Sequence, residues 1–142
     1  FVAKDIQIKI IGSKDNLPKN VLESIEKVEA KTSANKRGTL ALCFNYGGKD
    51  EIVNAVRSIV QDKVEQSTID EQLVDKYLSS GELPPVDLLI RTSGEQRLSG
   101  FLLWKTAYAE LFFTKTLWPD FDNKDVEEAL EFYYGRDRRY GI

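Results

Sequence analysis

Short apolar runs alternate along this chain with longer segments in which apolar residues recur every three or four positions. Four runs have the length and the apolar or β-branched character of strands: Ile6–Ile11, Thr39–Phe44, Val86–Ile90 and Glu110–Phe113. Strands that alternate with helices form right-handed βαβ units on a parallel sheet. The sequence therefore predicts an α/β fold, a parallel β-sheet flanked by helices, and its length fits a single domain over residues 1–142.

Helical signals fill the gaps between these strands. Apolar residues at helical spacing predict helices at about 18–32, 50–61 and 99–109, a short helix that ends near Tyr77, and a last helix that ends near Tyr134. Ser67 and Thr68, followed by Glu71, have the pattern of a capping box for the short helix. Asp122 or Asn123 is the expected cap of the last helix.

Several chemistries are excluded by what the sequence lacks. It contains no histidine, which excludes Ser-His and Cys-His catalysis and a histidine-ligated zinc within this chain. Its one cysteine, Cys43, lies in an apolar run and is expected to be a buried thiol, because the chain offers no second cysteine for a disulfide. The net charge of −3 disfavours a general nucleic-acid surface, so no nucleic-acid partner is predicted.

Two further features of the sequence bear on the localisation of the protein and on where its chain starts. No run approaches the roughly 20 apolar residues of a membrane span, and a single cysteine fits a reducing compartment, so a cytoplasmic protein is expected. The chain opens FVAKDIQIKI and contains no methionine. We therefore expect the complete gene product to start earlier.

The second apolar run leads into a glycine-containing loop, Asn45-Tyr46-Gly47-Gly48. In parallel α/β sheets, ligands bind beyond the carboxyl ends of the strands. Paired glycines allow the backbone to approach a ligand closely. The same residues also suit an ordinary tight turn, and both interpretations stay open.

The third apolar run leads into Arg91-Thr92-Ser93-Gly94-Glu95-Gln96-Arg97-Leu98-Ser99. Guanidinium groups make paired, charge-assisted hydrogen bonds to phosphate oxygens. Ser99 begins a predicted helix, whose free N–H groups favour an anion. Arg91, Arg97 and Ser99 therefore form a candidate cradle for a diphosphate. Alternatively, both arginines pair with Glu95 and other carboxylates on a solvated rim.

Glu110 and the C-terminal tail are weaker candidates. Glu110 opens the last strand, where a carboxylate is usually solvated or paired, but beside a bound diphosphate it could share Mg²⁺ with the phosphate oxygens. The tail Arg136-Asp137-Arg138-Arg139-Tyr140-Gly141 is either a frayed basic end or a segment that reaches into a partner subunit's site.

Taken together, these segments resemble the cis-prenyltransferase family, and most of all the bacterial undecaprenyl diphosphate synthases. The resemblance is carried by IRTSGEQRLSGFLLWKTAYAELFF, LWPDF, the upstream FNYGG and the final RRYG, and it extends from IKIIG over nearly the whole chain. It implies the fold of that family and its transferase activity. That activity is the repeated condensation of isopentenyl diphosphate with an allylic (farnesyl) diphosphate into a long cis-polyprenyl diphosphate, such as the undecaprenyl carrier lipid for cell-wall glycans.

The resemblance assigns roles to the residues of the arginine-containing stretch and to the glutamate that follows it. Arg91, Arg97 and Ser99 would grip the diphosphate of isopentenyl diphosphate. Glu95 would order their loop. Glu110 would help to hold Mg²⁺, the cofactor that the resemblance implies.

The resemblance also covers residues at a distance from that stretch. Asn45 would lie near the reacting centre, and together with the two arginines it completes the predicted catalytic residues. Phe101 and Trp104 would belong to a tunnel wall or a dimer interface. Arg139 and Gly141 would close over the substrate in the other subunit of a homodimer.

One part of the family pattern is not found among the 142 residues. The family's first strand ends in a D-G-N-x-R-W segment, whose aspartate is essential and whose loop binds the allylic diphosphate. The isolated chain is therefore expected to be inactive and to be the C-terminal portion of an enzyme. The alternative is a non-catalytic accessory subunit of a heteromeric cis-prenyltransferase, although such subunits typically lose the arginines that are present here. Because substrate and product are lipids, peripheral membrane contact is expected as well.

Overall fold

The computed structural model describes residues 2–137, which contain four strands and four α-helices. The elements are β1 (Ile6–Ile11), α1 (Lys19–Thr32), β2 (Gly38–Cys43), α2 (Gly48–Gln61), α3 (Glu71–Tyr77), β3 (Leu88–Arg91), β4 (Glu110–Phe113) and α4 (Asn123–Tyr134). Short 3₁₀ turns lie at Val2–Lys4, Gln66–Thr68 and Trp118–Asp120. Both strand pairs are parallel, so the predicted α/β class is confirmed. Among the described residues the strands form two two-stranded sheets, whereas the sequence predicts a single parallel sheet.

The chain divides into two compact units, one up to Glu82 and one from Leu83 onward. In the first unit β1 and β2 are paired, and the register begins with Ile6 opposite Gly38. Helix α1 packs against β1, and α2 packs against α3. The assignment of residues 1–142 to one domain stays a prediction.

The core of the first unit consists of apolar side chains from β1, α1 and α2: Ile8, Ile11, Ile25, Ala55 and Ile59. One buried polar side chain joins two of these elements. The hydroxyl of Thr32 accepts a hydrogen bond from the Ile8 N–H at 3.0 Å and donates to the Val28 carbonyl at 2.8 Å. Helix α1 is therefore tied to β1 by a satisfied polar contact.

Gly12 marks a close approach of two backbones at the carboxyl edge of the first strand pair. Its φ is +133°, and a Cβ at this position would lie 2.2 Å from the Phe44 carbonyl oxygen, so only glycine fits. The Phe44 N–H donates to the Ile11 carbonyl at 2.9 Å, and the Ser13 N–H donates to the Asn45 carbonyl at 3.2 Å. The loops that follow β1 and β2 thus leave the sheet side by side.

In the second unit β3 and β4 are paired, and Leu88 lies opposite Glu110. Helix α4 packs against β4, where the ring of Phe112 lies 5.5 Å from the ring of Phe132. The side chains buried in this unit include Leu89, Leu102, Phe112 and Ala129. The predicted cap of the last helix is confirmed, since Asp122 accepts from backbone N–H groups in the first turn of α4.

The predicted start of the short helix is wrong by about one turn. The N-cap of α3 is Asp70, whose carboxylate accepts a hydrogen bond from the Leu73 N–H at 2.7 Å. Ser67 and Thr68 belong to a separate 3₁₀ turn. The Thr68 hydroxyl donates to the Glu65 carbonyl at 2.8 Å, so it satisfies a preceding carbonyl and does not cap the helix that follows.

The helix predicted from Ser99 to Ala109 is also wrong. Ser99, Gly100 and Leu102 have φ values of 50°, 80° and 44°, in the left-handed region that a right-handed helix cannot include. Successive turns replace the helix, and the buried Thr106 bonds the Leu102 carbonyl through both its N–H and its hydroxyl, at 2.9 Å each. Ser99 therefore does not begin a helix, and helix N–H groups do not add to anion binding there.

Candidate functional site

The arginine loop, residues 91–99, leaves the carboxyl end of β3. Arg91 is the last residue of that strand. Its Nη1 donates to the Ser99 hydroxyl oxygen at 3.0 Å and to the Arg97 carbonyl oxygen. Arg97 in turn forms an ion pair with Glu95, and its side chain remains 62% exposed. The structure thus brings the two predicted arginines, the serine and the glutamate together in one folded loop.

The tip of the arginine loop has an unusual backbone. Ser93 and Gly94 are both left-handed, with φ of 71° and 73°. The Ser93 N–H donates to the Thr116 carbonyl at 2.9 Å, and the Gly94 N–H donates to the Thr114 carbonyl at 2.8 Å. A left-handed non-glycine residue costs free energy and persists where its surroundings hold it. Residues just beyond β4 therefore fix the shape of the arginine loop.

A cavity of about 320 Å³ opens at the arginine loop. Its lining combines three polar side chains with four apolar ones: Arg91, Arg97, Ser99, Leu89, Ile90, Leu98 and Phe101. The volume is at the small end of the range for ligand sites in proteins. Two guanidinium groups beside an apolar wall suit a small anion that carries a short hydrocarbon group. Phe101, which the resemblance placed in a tunnel wall or a dimer interface, lines this cavity.

Glu110 lies at the other end of the strand pair from Arg91. It is opposite Leu88, three residues before Arg91, which corresponds to about 10 Å along a strand. The Glu110 carboxylate accepts a hydrogen bond from Nε of Arg136 at 3.0 Å, and its side chain is 17% exposed. The backbone of Glu110 is therefore not level with the start of the arginine loop, and its carboxylate has a cationic partner of its own.

Glu110 can supply only part of a magnesium site. Among residues 2–137, no group of three or more Asp, Glu, Cys or His side chains is placed to hold a metal ion. Magnesium is commonly bound by one or two carboxylates, while substrate phosphates and water provide the other ligands. A single carboxylate fits that donor set when a diphosphate supplies further oxygens and when Arg136 has moved away from Glu110.

Asn45 belongs to the first unit, where it follows β2 with a left-handed φ of 48°. Its Nδ2 donates to the Ser13 carbonyl at 3.0 Å and to the Asp15 carbonyl at 3.4 Å. A cavity of about 890 Å³ lies beyond the carboxyl ends of β1 and β2, and Asn45, Tyr46 and residues of the β1 loop contribute to its lining. The asparagine is therefore held by the loop that follows β1, at the edge of a polar cavity.

Glu51 is a further candidate that no local sequence pattern reveals. It is only 6% exposed, and its carboxylate accepts hydrogen bonds from the Tyr46 hydroxyl at 2.7 Å, the Ser79 hydroxyl at 2.8 Å and the Ser80 N–H at 2.7 Å. Burial, followed by the charge of Glu51, raises the pKa of the Cys43 thiol. Cys43 is half-buried, less than the sequence predicts. Ser79 and Ser80 are too distant in sequence for a short-range pattern to link them to Glu51.

Arg136 is the other residue whose contacts the sequence does not reveal. Its guanidinium lies 5.7 Å from the ring centroid of Phe132, four residues earlier. This spacing at the end of a predicted helix is the one sequence signal for the contact with Phe132, and nothing comparable indicates the contact with Glu110.

Arg139 and Gly141, which the resemblance assigns to a partner's site, lie outside the described residues. None of the helices within residues 2–137 combines the length and the apolar character needed to cross a membrane.

The arginine loop lies at the carboxyl edge of a parallel strand pair, the edge at which α/β proteins bind their ligands. A family profile described as putative undecaprenyl diphosphate synthase matches residues 1–141, and the chain belongs to that family. The resemblance carried by the IRTSGEQRLS stretch is thereby confirmed.

Curated relatives agree with this assignment. An isoprenyl transferase of Heliobacterium mobile is 47% identical over 143 residues, which cover 98% of this chain and 55% of that protein. The ditrans,polycis-undecaprenyl-diphosphate synthase ((2E,6E)-farnesyl-diphosphate specific) of Escherichia coli strain K12 is 45% identical over 142 residues, which cover 96% of this chain and 56% of the relative. The chain thus spans little more than half the length of these relatives.

The fold is similar to that of a solved enzyme. The crystal structure of lavandulyl diphosphate synthase from Lavandula x intermedia in complex with dimethylallyl diphosphate superposes with a TM-score of 0.91 and 37% sequence identity. The superposition covers 98% of this chain and 61% of that one. The parallel α/β architecture is therefore shared with this lavandulyl diphosphate synthase.

Proposed function

We propose that this chain carries the isopentenyl diphosphate site of a cis-prenyltransferase, which condenses isopentenyl diphosphate with an allylic diphosphate. The observation that carries the proposal is the cavity at the arginine loop. Arg91, Arg97 and Ser99 offer donors for a diphosphate, and Leu89 and Phe101 are among the apolar side chains that line the same cavity. A five-carbon chain with a diphosphate head has both kinds of surface.

In the proposed reaction the allylic C1–O bond breaks and diphosphate leaves. The double bond of isopentenyl diphosphate forms the new bond to C1, and a proton is then lost to restore a double bond. Arg91 and Arg97 hold the diphosphate of the isopentenyl substrate, so that its double bond is presented to C1. Ser99 accepts a hydrogen bond from Arg91 in the folded loop, which directs the guanidinium toward the cavity.

Magnesium, when bound, would neutralise charge on diphosphate oxygens. Glu110 is the described residue that the resemblance assigns to it. Arg136, which now pairs with Glu110 at 3.0 Å, would have to release the carboxylate. Asn45 is proposed to lie near the reacting carbon, where its left-handed backbone and its hydrogen bonds to the β1 loop would fix its amide group.

The finer parts of the proposal rest on the resemblance and on relatives. The name of the E. coli relative supports farnesyl diphosphate as the allylic substrate and undecaprenyl diphosphate as the product. A homodimer in which Arg139 and Gly141 reach the partner's substrate is proposed on the resemblance alone. A cytoplasmic location is proposed as well, with peripheral contact with a membrane because the substrate and product would be lipids. The essential aspartate would come from a segment that is not among these 142 residues, so the isolated chain is expected to be inactive.

The test is steady-state incorporation of labelled isopentenyl diphosphate by the protein expressed from its complete gene, with farnesyl diphosphate as the primer. Arg97→Ala removes a cation that is paired with Glu95 on the rim of the cavity. We expect the KM for isopentenyl diphosphate to rise about tenfold or more, with a lower rate, because charge-assisted contacts to the diphosphate are lost.

Arg37→Ala is the matched control, since Arg37 is an exposed arginine just before β2, and its kinetics should equal those of the wild type. Unchanged kinetics for Arg97→Ala would remove Arg97 from the site. If the complete protein does not incorporate isopentenyl diphosphate when farnesyl diphosphate and magnesium are present, the accessory-subunit alternative is favoured.

A further inference from the structure

The first turn of α4 is linked to the tip of the arginine loop by a continuous series of hydrogen bonds. The Thr116 hydroxyl donates to Oδ1 of Asp125 at 2.8 Å. The Thr116 carbonyl accepts from the Ser93 N–H at 2.9 Å. Thr116 therefore contacts the helix through its side chain and the arginine loop through its backbone.

Thr114 reinforces the same connection. Its hydroxyl donates to the Thr116 hydroxyl at 3.1 Å and accepts from the Thr116 N–H at 3.2 Å. Its carbonyl accepts from the Gly94 N–H at 2.8 Å. The two carbonyl groups that hold the loop tip thus belong to Thr114 and Thr116. The hydroxyl groups of these residues bond to each other, and that of Thr116 also bonds to Asp125.

The loop tip depends on these two carbonyls for its conformation. Ser93 is a non-glycine residue with φ of 71°, a conformation that is unfavourable unless its surroundings impose it. Two residues earlier the chain carries Arg91, and four residues later it carries Arg97. A shift of the Ser93 turn would therefore change the distance between the two guanidinium groups.

The bond from Thr116 is separate from the capping of α4. Asp125 uses its other oxygen, Oδ2, to accept from the Asp122 N–H at 3.0 Å, which completes the capping box with Asp122. Oδ1 is thus left to Thr116. The helix start can be capped without Thr116, so the contact with Thr116 requires its own explanation.

We propose that Thr116 is a positioning residue for the diphosphate cradle. It links the capped first turn of α4 to the turn at Ser93 and Gly94 and thereby holds that turn in place. Thr116 does not line the cavity, and it acts through the arginine loop. The inference rests on the proposed function, because it concerns the site that would hold isopentenyl diphosphate.

The test compares Thr116→Val with Thr116→Ser in the protein expressed from its complete gene. Valine keeps the shape of the side chain and removes its hydrogen bonds, whereas serine keeps the hydroxyl. Thr116→Val removes two side-chain hydrogen bonds, the one donated to Asp125 and the one accepted from Thr114. Because these bonds act on the site only through the loop tip, we expect the KM for isopentenyl diphosphate to rise about fivefold, while kcat stays within about twofold. Thr116→Ser should restore the KM. Thr68→Val, in the exposed 3₁₀ turn of the first unit, is the control.

Binding of inorganic pyrophosphate, measured by calorimetry, provides a second readout that does not need turnover. Its dissociation constant should rise by a similar factor for Thr116→Val and not for Thr116→Ser. If the valine variant does not fold, Thr116→Ala removes the same hydrogen bonds, leaves Asp125 and the capping of α4 in place, and should raise the same KM.

Two results would overturn the inference: a folded valine variant with the wild-type KM and pyrophosphate affinity, or a serine variant as impaired as the valine variant. Failure of the proposed function itself would look different. In that case the wild-type protein would neither bind pyrophosphate nor incorporate isopentenyl diphosphate.

Discussion

Arg136 holds the carboxylate of Glu110 with Nε 3.0 Å from Oε2, and its guanidinium also lies over the ring of Phe132. The residue that the family resemblance assigns to magnesium is therefore neutralised by a cation of the same chain. Any divalent ion that binds Glu110 has to compete with this guanidinium, so under the proposed function the ion pair should raise the magnesium concentration needed for activity.

Arg136→Ala is predicted to lower the magnesium concentration that gives half-maximal incorporation of isopentenyl diphosphate. The expected decrease is about 1.4- to fivefold, because exposed ion pairs contribute about 0.2–1 kcal/mol. Binding of Mn²⁺, followed by electron paramagnetic resonance in the presence of pyrophosphate, should tighten by a similar factor. Lys124→Ala, which removes an exposed cation from the first turn of α4, is the control. A magnesium requirement that stays the same or rises in Arg136→Ala would show that the ion pair does not compete with the metal.

Arg91→Lys is predicted to weaken isopentenyl diphosphate binding although the charge is kept. Arg91 donates to both the Ser99 hydroxyl and the Arg97 carbonyl, and lysine cannot reproduce a planar group with several donors. We expect the KM for isopentenyl diphosphate to rise about tenfold, in steady-state assays with farnesyl diphosphate held constant. Arg37→Lys should behave as the wild type. Equal KM values for Arg91→Lys and wild type would mean that only the charge of Arg91 matters.

The elements of the fold follow closely from local sequence. The strand Ile6–Ile11 and the strand Glu110–Phe113 have the predicted bounds. A short apolar run between turn residues is compatible with few elements other than a strand. The segment Ser99–Ala109 shows the limit of this approach. Its apolar spacing suits a helix, but the left-handed residues Ser99 and Leu102 override the pattern, and a single Gly100 gives no sign of two further left-handed neighbours.

The candidate site is only partly accessible to sequence reasoning. Arg91, Arg97 and Ser99 lie within nine residues, so a loop that brings them together could be predicted from guanidinium chemistry and the end of a strand. The contact between Glu110 and Arg136 joins residues 26 positions apart, and it depends on how α4 packs against β4. Such partners are fixed by tertiary packing, which no local pattern encodes.

Gly12→Ala is predicted to be far more destabilising than Gly94→Ala. A Cβ at Gly12 would lie 2.2 Å from the Phe44 carbonyl oxygen at a φ of +133°, whereas a Cβ at Gly94 would meet only Lys115 Cγ, at 3.8 Å, at a φ of +73°. We expect a loss of at least about 3 kcal/mol in the free energy of unfolding for Gly12→Ala, and of about 1–2 kcal/mol for Gly94→Ala, which bears the backbone penalty alone. Urea unfolding of both variants measures the difference. Similar losses would mean that the two loops after β1 and β2 can separate to admit a methyl group.

Asp125 should make the stability of the protein depend on pH in the acid range. Hydrogen bonds from the Asp122 N–H and then from the Thr116 hydroxyl lower the pKa of its carboxyl group from the ordinary value. A group whose pKa is lower in the folded state stabilises the protein above its unfolded pKa, and this contribution is lost as the pH falls through the folded value. The free energy of unfolding of Asp125→Asn should therefore be below that of the wild type at pH 7, and the gap should narrow below about pH 4. Urea titrations between pH 7 and about pH 3 test this, with Asp120→Asn, an exposed carboxylate before α4, as the control. A gap that stays constant over that range would mean that the ionised form of Asp125 is not what stabilises the first turn of α4.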